Sequence, residues 1–115
     1  FMSLAKEIAS RTVKERKVIE IEGWGENGDP LVLYSKPLTA RDIIDLQNKY
    51  KNFLNEMTLE GVIDLIIRKL ETEDGEKAFT VADKPIIRGF EPIKLSNIGA
   101  SIIGEVTSVE EAEKN

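Results

Sequence analysis

The chain has no cysteine and no histidine, and the two absences together remove most of the side-chain chemistry that runs near neutral pH. Without a thiol there is no disulfide framework, no thiolate nucleophile and no thiolate metal site. Without an imidazole there is no histidine general base and no Ser-His or Cys-His arrangement, and with neither ligand no ordinary zinc or iron centre. Long apolar runs are missing too. The richest stretches are interrupted by Asp64 and Arg68, or by Gly99 and Ser101, so none approaches the roughly 18 residues of a spanning helix. Positive charge is in deficit, with 16 Lys and Arg against 21 Asp and Glu for a net charge of −5. Phosphate backbones are bound by clustered cations that release counterions, so nucleic acid is not an expected partner. One basic cluster exists, Arg11, Lys14, Arg16 and Lys17, but Val13 and Glu15 interrupt it and no aromatic residue is placed to stack on bases. It reads as a solvated helix end.

What remains is the composition of one globular domain. With 115 residues, 41% hydrophobic and 32% charged, a chain can bury roughly two thirds of the surface it exposes when unfolded. A single domain over residues 3–107 is expected, followed by a polar, flexible tail over 108–115. The opening Phe1-Met2 reads as a remnant ahead of the native start, and Ser3 to Arg16 is too charged for the apolar centre of a signal peptide. Both point to a soluble, cytosolic protein.

The periodicities predict an α+β fold: an N-terminal helix, a β-hairpin, then a bundle of about three to four α-helices. Leu4 and Ile8, with Ala5 and Ala9, lie on one helical face. Lys17 to Trp24 and Leu31 to Tyr34 have strand character, and Gly25 to Pro30 between them contains Asn27-Gly28, a pair suited to a tight turn. Thr39 is placed to cap a helix near Asp42, whose apolar face, Ile43, Leu46, Tyr50, Phe53, Leu54 and Met57, predicts an end near Asn55. Thr58 caps the next helix, where Leu59, Val62, Ile63, Ile66 and Leu70, widened by Leu65 and Ile67, form the most apolar face and the expected centre of the core. Gly75, in the acidic break from Glu71 to Glu76, is available for a left-handed helix stop. Thr80 caps a short turn from Val81 that Pro85 interrupts or opens, and Leu95, Ile98, Ile102, Ile103 and Val106 define a last helix despite Gly99.

Few motifs carry chemistry. Gly23 to Gly28 matches a G-x-G-x-x-G pattern, but Asp29-Pro30 and a strand follow it where a dinucleotide site needs a helix N-terminus. Glu71, Glu73, Asp74 and Glu76 offer oxygen ligands without the spacing of a calcium loop. No catalytic residue, cofactor or metal site is assigned. Two places suit protein contacts. Trp24 sits where the hairpin begins to turn. With Asn27-Gly28 as a two-residue turn, Trp24, Leu31 and Leu33 share a face with Glu20 and Glu22, while Ile19, Ile21, Val32 and Tyr34 take the other. A bulge at Gly23 or Gly25 shifts these groupings. Trp24 then either caps the core or forms a contact strip. Likewise Ile102, Ile103 and Val106 either close the core or present part of their stripe to a partner or a second copy.

In series, Ile19 to Gly25 ending in Trp24-Gly25, Leu38-Thr39-Ala40-Arg41-Asp42, Asp74-Gly75 leading to Phe79-Thr80, and the helix from Leu95 to Val106 form an order that resembles the tail assembly chaperones of long-tailed, lambda-like bacteriophages. The likeness covers nearly the whole domain. It departs at Lys84 to Pro92, where Pro85, Gly89 and Pro92 argue against a longer helix. The resemblance implies a noncatalytic protein of the host bacterial cytoplasm, absent from the mature virion. Such a chaperone binds the tape measure protein, keeps it soluble and helps recruit tail tube subunits. Weak self-association and a frameshifted longer form are further implications. Two other readings stay open, a tail structural or completion protein and a small carboxylate-dependent metal enzyme near Glu71 to Glu76.

Overall fold

The computed structural model of the chain describes residues 3–11 and 15–114, with 105–114 described by backbone alone. Phe1-Met2, Thr12, Val13, Lys14 and Asn115 lie outside the described residues, as does the Val106 side chain. The fold is α+β, as the periodicities predict. In chain order it has α1 (Leu4–Arg11), β1 (Lys17–Ile21), β2 (Leu31–Ser35), α2 (Ala40–Lys49), α3 (Leu59–Lys69), β3 (Leu70–Glu71), α4 (Lys84–Ile87) and α5 (Pro92–Lys114), with short 3-10 turns at Glu26–Gly28 and Val81–Asp83. The strands form one antiparallel sheet in the order β1-β2-β3. α3 packs on α5, and α5 packs on β1.

α3 is the centre of the core. Val62, Ile63, Leu65, Ile66, Ile67 and Leu70 are all buried, whereas Leu59, in the first turn, stays 46% exposed. Thr58 caps this helix by accepting the Gly61 amide at 3.1 Å. Thr39 caps α2 in the same way, accepting the Asp42 amide at 3.2 Å while the Asp42 carboxylate accepts the Thr39 amide at 2.9 Å. Each such cap contributes about 1 kcal/mol. Gly99, out of place in an amphipathic helix, has a packing reason: a β-carbon there would meet Val62 Cγ1 at 3.1 Å. The missing side chain lets α3 and α5 approach closely.

Three expectations are corrected. First, α2 ends at Lys49, not near Asn55. Tyr50 is extended and Asn52 adopts a left-handed φ of 57°, so the chain turns. Phe53 nevertheless enters the core from that turn, at 0% exposure. Second, the hairpin is not closed by a two-residue turn. Ile19 pairs with Leu33 and Ile21 with Leu31, because Asn27 and Gly28 lie in a wider loop in which the Gly25 amide donates to the Asp29 carbonyl at 2.9 Å. This register differs from the two-residue one by an odd step, so every facing is exchanged. Ile19, Ile21 and Leu33 now lie buried together, with Leu31 packed beside them. Third, Gly75 does have a positive φ, 87°, but it stops no helix. α3 passes directly into β3, and Gly75 lies in the turn that brings Lys77 back beside Glu71.

α1 has no buried residue, and Leu4 and Ile8 are 67% and 53% exposed. Of the basic cluster, Arg16 and Lys17 lie past α1 and are engaged elsewhere. Arg16 stacks over Tyr34 and donates to the Thr72 and Glu73 carbonyls at 3.0 and 3.1 Å, and Lys17 donates to the Ser101 carbonyl.

Candidate protein-binding cleft

An apolar depression lies where the start of α3 meets the start of α5. The Thr58 cap sets Leu59 and Glu60 in the first turn of α3. After α4 the chain closes tightly, the Gly89 and Phe90 amides donating to the Ile86 and Ile87 carbonyls. Pro92 then opens α5 at a position where no amide donor is needed. These segments enclose about 200 Å³ lined by Leu59, Ile63, Phe90, Pro92 and Leu95, with Glu60 and Arg88 as its polar wall. Ile63 and Leu95 form a buried floor, and Leu59 an exposed rim. Met57 and Ile93, adjacent in sequence to this rim, are themselves exposed. The volume is below the roughly 300 Å³ at which small-molecule sites begin, and suits an apolar side chain offered by another protein.

Charged ties hold the walls. Arg88 binds Glu60 through two nitrogens, at 2.7 and 3.3 Å, and this hydrogen bonding lowers the pKa of Glu60. Behind it, Asp64 of α3 accepts Lys49 at 2.8 Å and Lys84 at 2.7 Å, and also the Tyr50 hydroxyl. Burial works against the charged form of Asp64. The hydrogen bonds from Lys49, Lys84 and Tyr50 outweigh it and bring the carboxyl from 3.8 down to about 2. A carboxylate whose pKa is lower in the folded state stabilises the fold above its unfolded pKa and loses that contribution as pH falls through the folded value. Between pH 4 and pH 2 the wild type should therefore lose about 2 kcal/mol from this group, read from urea midpoints, and Asp64→Asn should lack that part of the acid dependence.

The other well-buried carboxylates are likewise engaged. Asp42 is held by Arg68 and Lys69, and Glu71 by Arg16 and Lys36 at 3.4 and 3.1 Å. Among the described residues no three carboxylates converge on a metal position, and no helix is long and apolar enough to cross a membrane.

Of the residues the sequence nominated for contact, Trp24 is half-buried and packs against Phe90 with the rings tilted by 58° and their centroids 4.9 Å apart. It therefore backs the cleft wall without lining it. Ile102 and Ile103 are 2% and 5% exposed. They close the core, because the stripe that carries them faces α3 and the sheet, and they offer no surface to a partner. Val106 follows them on α5, its side chain outside the described residues. Leu59, Phe90 and Pro92 were not singled out by sequence reasoning. The available signal was that Leu59 falls at the very start of its apolar stripe, where the neighbouring turn that would cover it is missing.

The comparisons with known proteins are negative: no family model matches the chain, nor does any curated protein or solved structure.

Proposed function

We propose that this chain is a noncatalytic tail assembly chaperone that binds the tape measure protein of a long-tailed phage, keeps it soluble and helps recruit tail tube subunits in the host cytoplasm. The ordered motifs support the reading at the level of sequence. The observation that carries it is the cleft, an apolar recess with an exposed Leu59 rim and the Arg88–Glu60 ion pair on its wall. A long helical protein awaiting assembly exposes apolar stripes, and a small domain that covers one of them lowers the concentration of the aggregation-prone form by mass action. An apolar stripe offers side chains at three- and four-residue steps, and one of these fills the recess.

The test is co-expression with the tape measure protein encoded beside it. The wild-type chain should raise the soluble fraction of that protein and co-purify with it. Leu59→Asp, at a position exposed enough to leave the fold intact, should weaken the complex by about 2 kcal/mol, or roughly thirtyfold. Unchanged solubility of the tape measure protein, with no complex recovered, overturns the proposal. Mass spectrometry of purified virions should not find the chain, and its presence at stoichiometric amounts would mark it as a structural tail component.

A further inference from the structure

The tip of the connection between β1 and β2 brings a reactive pair to the surface. Asn27 and Gly28 are both exposed, and both hold a positive φ, 58° and 81°. Asparagine tolerates this left-handed conformation better than most side chains, and glycine adopts it freely. The loop is tied at its ends, where the Gly25 amide donates to the Asp29 carbonyl at 2.9 Å and the Asp29 amide to the Glu26 carbonyl at 3.1 Å. Neither tie uses the Gly28 amide, which makes no hydrogen bond among the described residues. Nothing lies within 4 Å of the place a Gly28 β-carbon would take. The Gly28 nitrogen is therefore unshielded beside the Asn27 carboxamide, and rotation about the Asn27 ψ and χ1 angles brings it against Cγ.

No other asparagine among the described residues is so placed. Asn48 and Asn97 lie within α2 and α5, where the next amide donates to the preceding turn. Asn55 precedes the Glu56 amide, which donates to the Asn52 carbonyl at 2.7 Å. Asn52 shares the left-handed conformation, with a φ of 57°, but is followed by Phe53, whose buried ring anchors that segment. In the comparable aspartate pair, Asp74-Gly75, the glycine amide donates to the Thr72 carbonyl at 3.0 Å. A nitrogen so engaged must give up its hydrogen bond before it can attack a neighbour.

We propose that Asn27 is a site of spontaneous deamidation, converting to isoaspartate and aspartate through a cyclic imide. Base takes the Gly28 amide proton and the nitrogen attacks Asn27 Cγ. The N–Cγ bond forms as the Cγ–Nδ2 bond breaks, and Nδ2 leaves as ammonia with a proton returned to it. Water then opens the five-membered ring at either carbonyl. Cleavage of the N–Cγ bond restores the chain with aspartate at 27, whereas cleavage at the main-chain carbonyl leaves isoaspartate, with the backbone running through the former side chain. No electrons are exchanged. Each product adds one negative charge to the −5 of the chain, beside exposed Glu26 and Asp29. Isoaspartate also lengthens the backbone inside the ring that the Asp29 amide closes onto the Glu26 carbonyl, which breaks that hydrogen bond. The inference is independent of the cleft and of the chaperone reading.

The experiment incubates the full chain at mildly alkaline pH and follows it by peptide mass spectrometry, with enzymatic methylation to count isoaspartate. The tryptic peptide from Val18 to Arg41 holds Asn27 as its one side-chain amide. It should gain one mass unit as ammonia is released, and it should contain isoaspartate. The peptides holding Asn48, Asn52, Asn55 and Asn97 should stay unchanged over the same time. Asn27→Gln should form no isoaspartate, since its ring would need six members, and its melting temperature should match the wild type because the position is exposed. A synthetic peptide of residues 24–31 sets the intrinsic rate. An unmodified Asn27 in the folded chain, while that peptide converts, would overturn the proposal. So would aspartate without isoaspartate, which marks direct hydrolysis, or equal conversion at Asn52 or Asn55.

Discussion

Phe53→Ala should lower the unfolding free energy by about 3–5 kcal/mol, close to half the stability of a domain with a typical 5–15 kcal/mol. The ring is 0% exposed, so its transfer from water is lost in full. The void should also persist. A β-carbon on Gly61 would lie 3.0 Å from the Phe53 ring, so the aromatic edge rests on the bare backbone of α3. That backbone is pinned by the Thr58 cap and by buried residues on its far side, and it cannot move in to fill the space. Urea titration should show a lower midpoint with an unchanged slope. Ile44→Ala, on the 55% exposed face of α2, is the control and should change stability by less than about 0.5 kcal/mol. A loss under about 1 kcal/mol for Phe53→Ala would mean that the turn carrying it collapses freely, contrary to the packing on Gly61.

Phe53 also illustrates what the sequence made legible. Its place on an apolar stripe identified it as a core residue, and that held. The same stripe predicted a helix through Asn55, and that did not, because periodicity reports which side chains are buried and not which backbone delivers them. Nothing local announced the left-handed Asn52. The hairpin repeats the lesson with a missed signal. Alternation within each strand was readable, but the turn pair Asn27-Gly28 was given authority over the register. Burial was the stronger criterion. Only an odd shift puts Ile19, Ile21, Leu31 and Leu33 on one face, and an aliphatic side chain moved from water to the core contributes about 1.5–3 kcal/mol, more than any preference between turn types. Gly99 shows the reverse case, a residue that weakens the helical pattern and is explained only by its non-local neighbour Val62.

The candidate sites were less legible than the core, since each is assembled from distant segments. The cleft draws on α3, the turn after α4 and the start of α5, and no one of these has a pattern that singles it out. Trp24 was a useful nomination for an indirect reason, through its contact with Phe90. Ile102 and Ile103 could be read either way, because a stripe that closes a core and a stripe that meets a partner look the same in one dimension.

The ion pair beneath α2 was equally invisible, and it leads to the second large effect: Asp42→Ala should cost about 3–5 kcal/mol. Asp42 accepts the Thr39 amide, Arg68 Nε at 2.6 Å and Lys69 Nζ at 2.8 Å. Burial opposes its ionisation, but the hydrogen bonds from Arg68 and Lys69 prevail and hold the carboxyl well below the usual carboxylate range. Arg68 would survive the loss of Asp42, being one-third exposed and also bound to Asp45. Lys69 would not, for its side chain is only 8% exposed and its ammonium group would be left buried without a counter-charge. The cap accounts for about 1 kcal/mol of the expected loss and the stranded ammonium for the rest. Asp42→Asn separates the two, because an amide oxygen can still accept the Thr39 amide but cannot neutralise Lys69. Combining Asp42→Ala with Lys69→Met should be less damaging than Asp42→Ala alone, since it removes the charge that the single variant exposes to a dry environment. If the double variant is instead worse than the single one by the full cost of Lys69→Met, the two residues are uncoupled and Lys69 reaches water when its partner is gone.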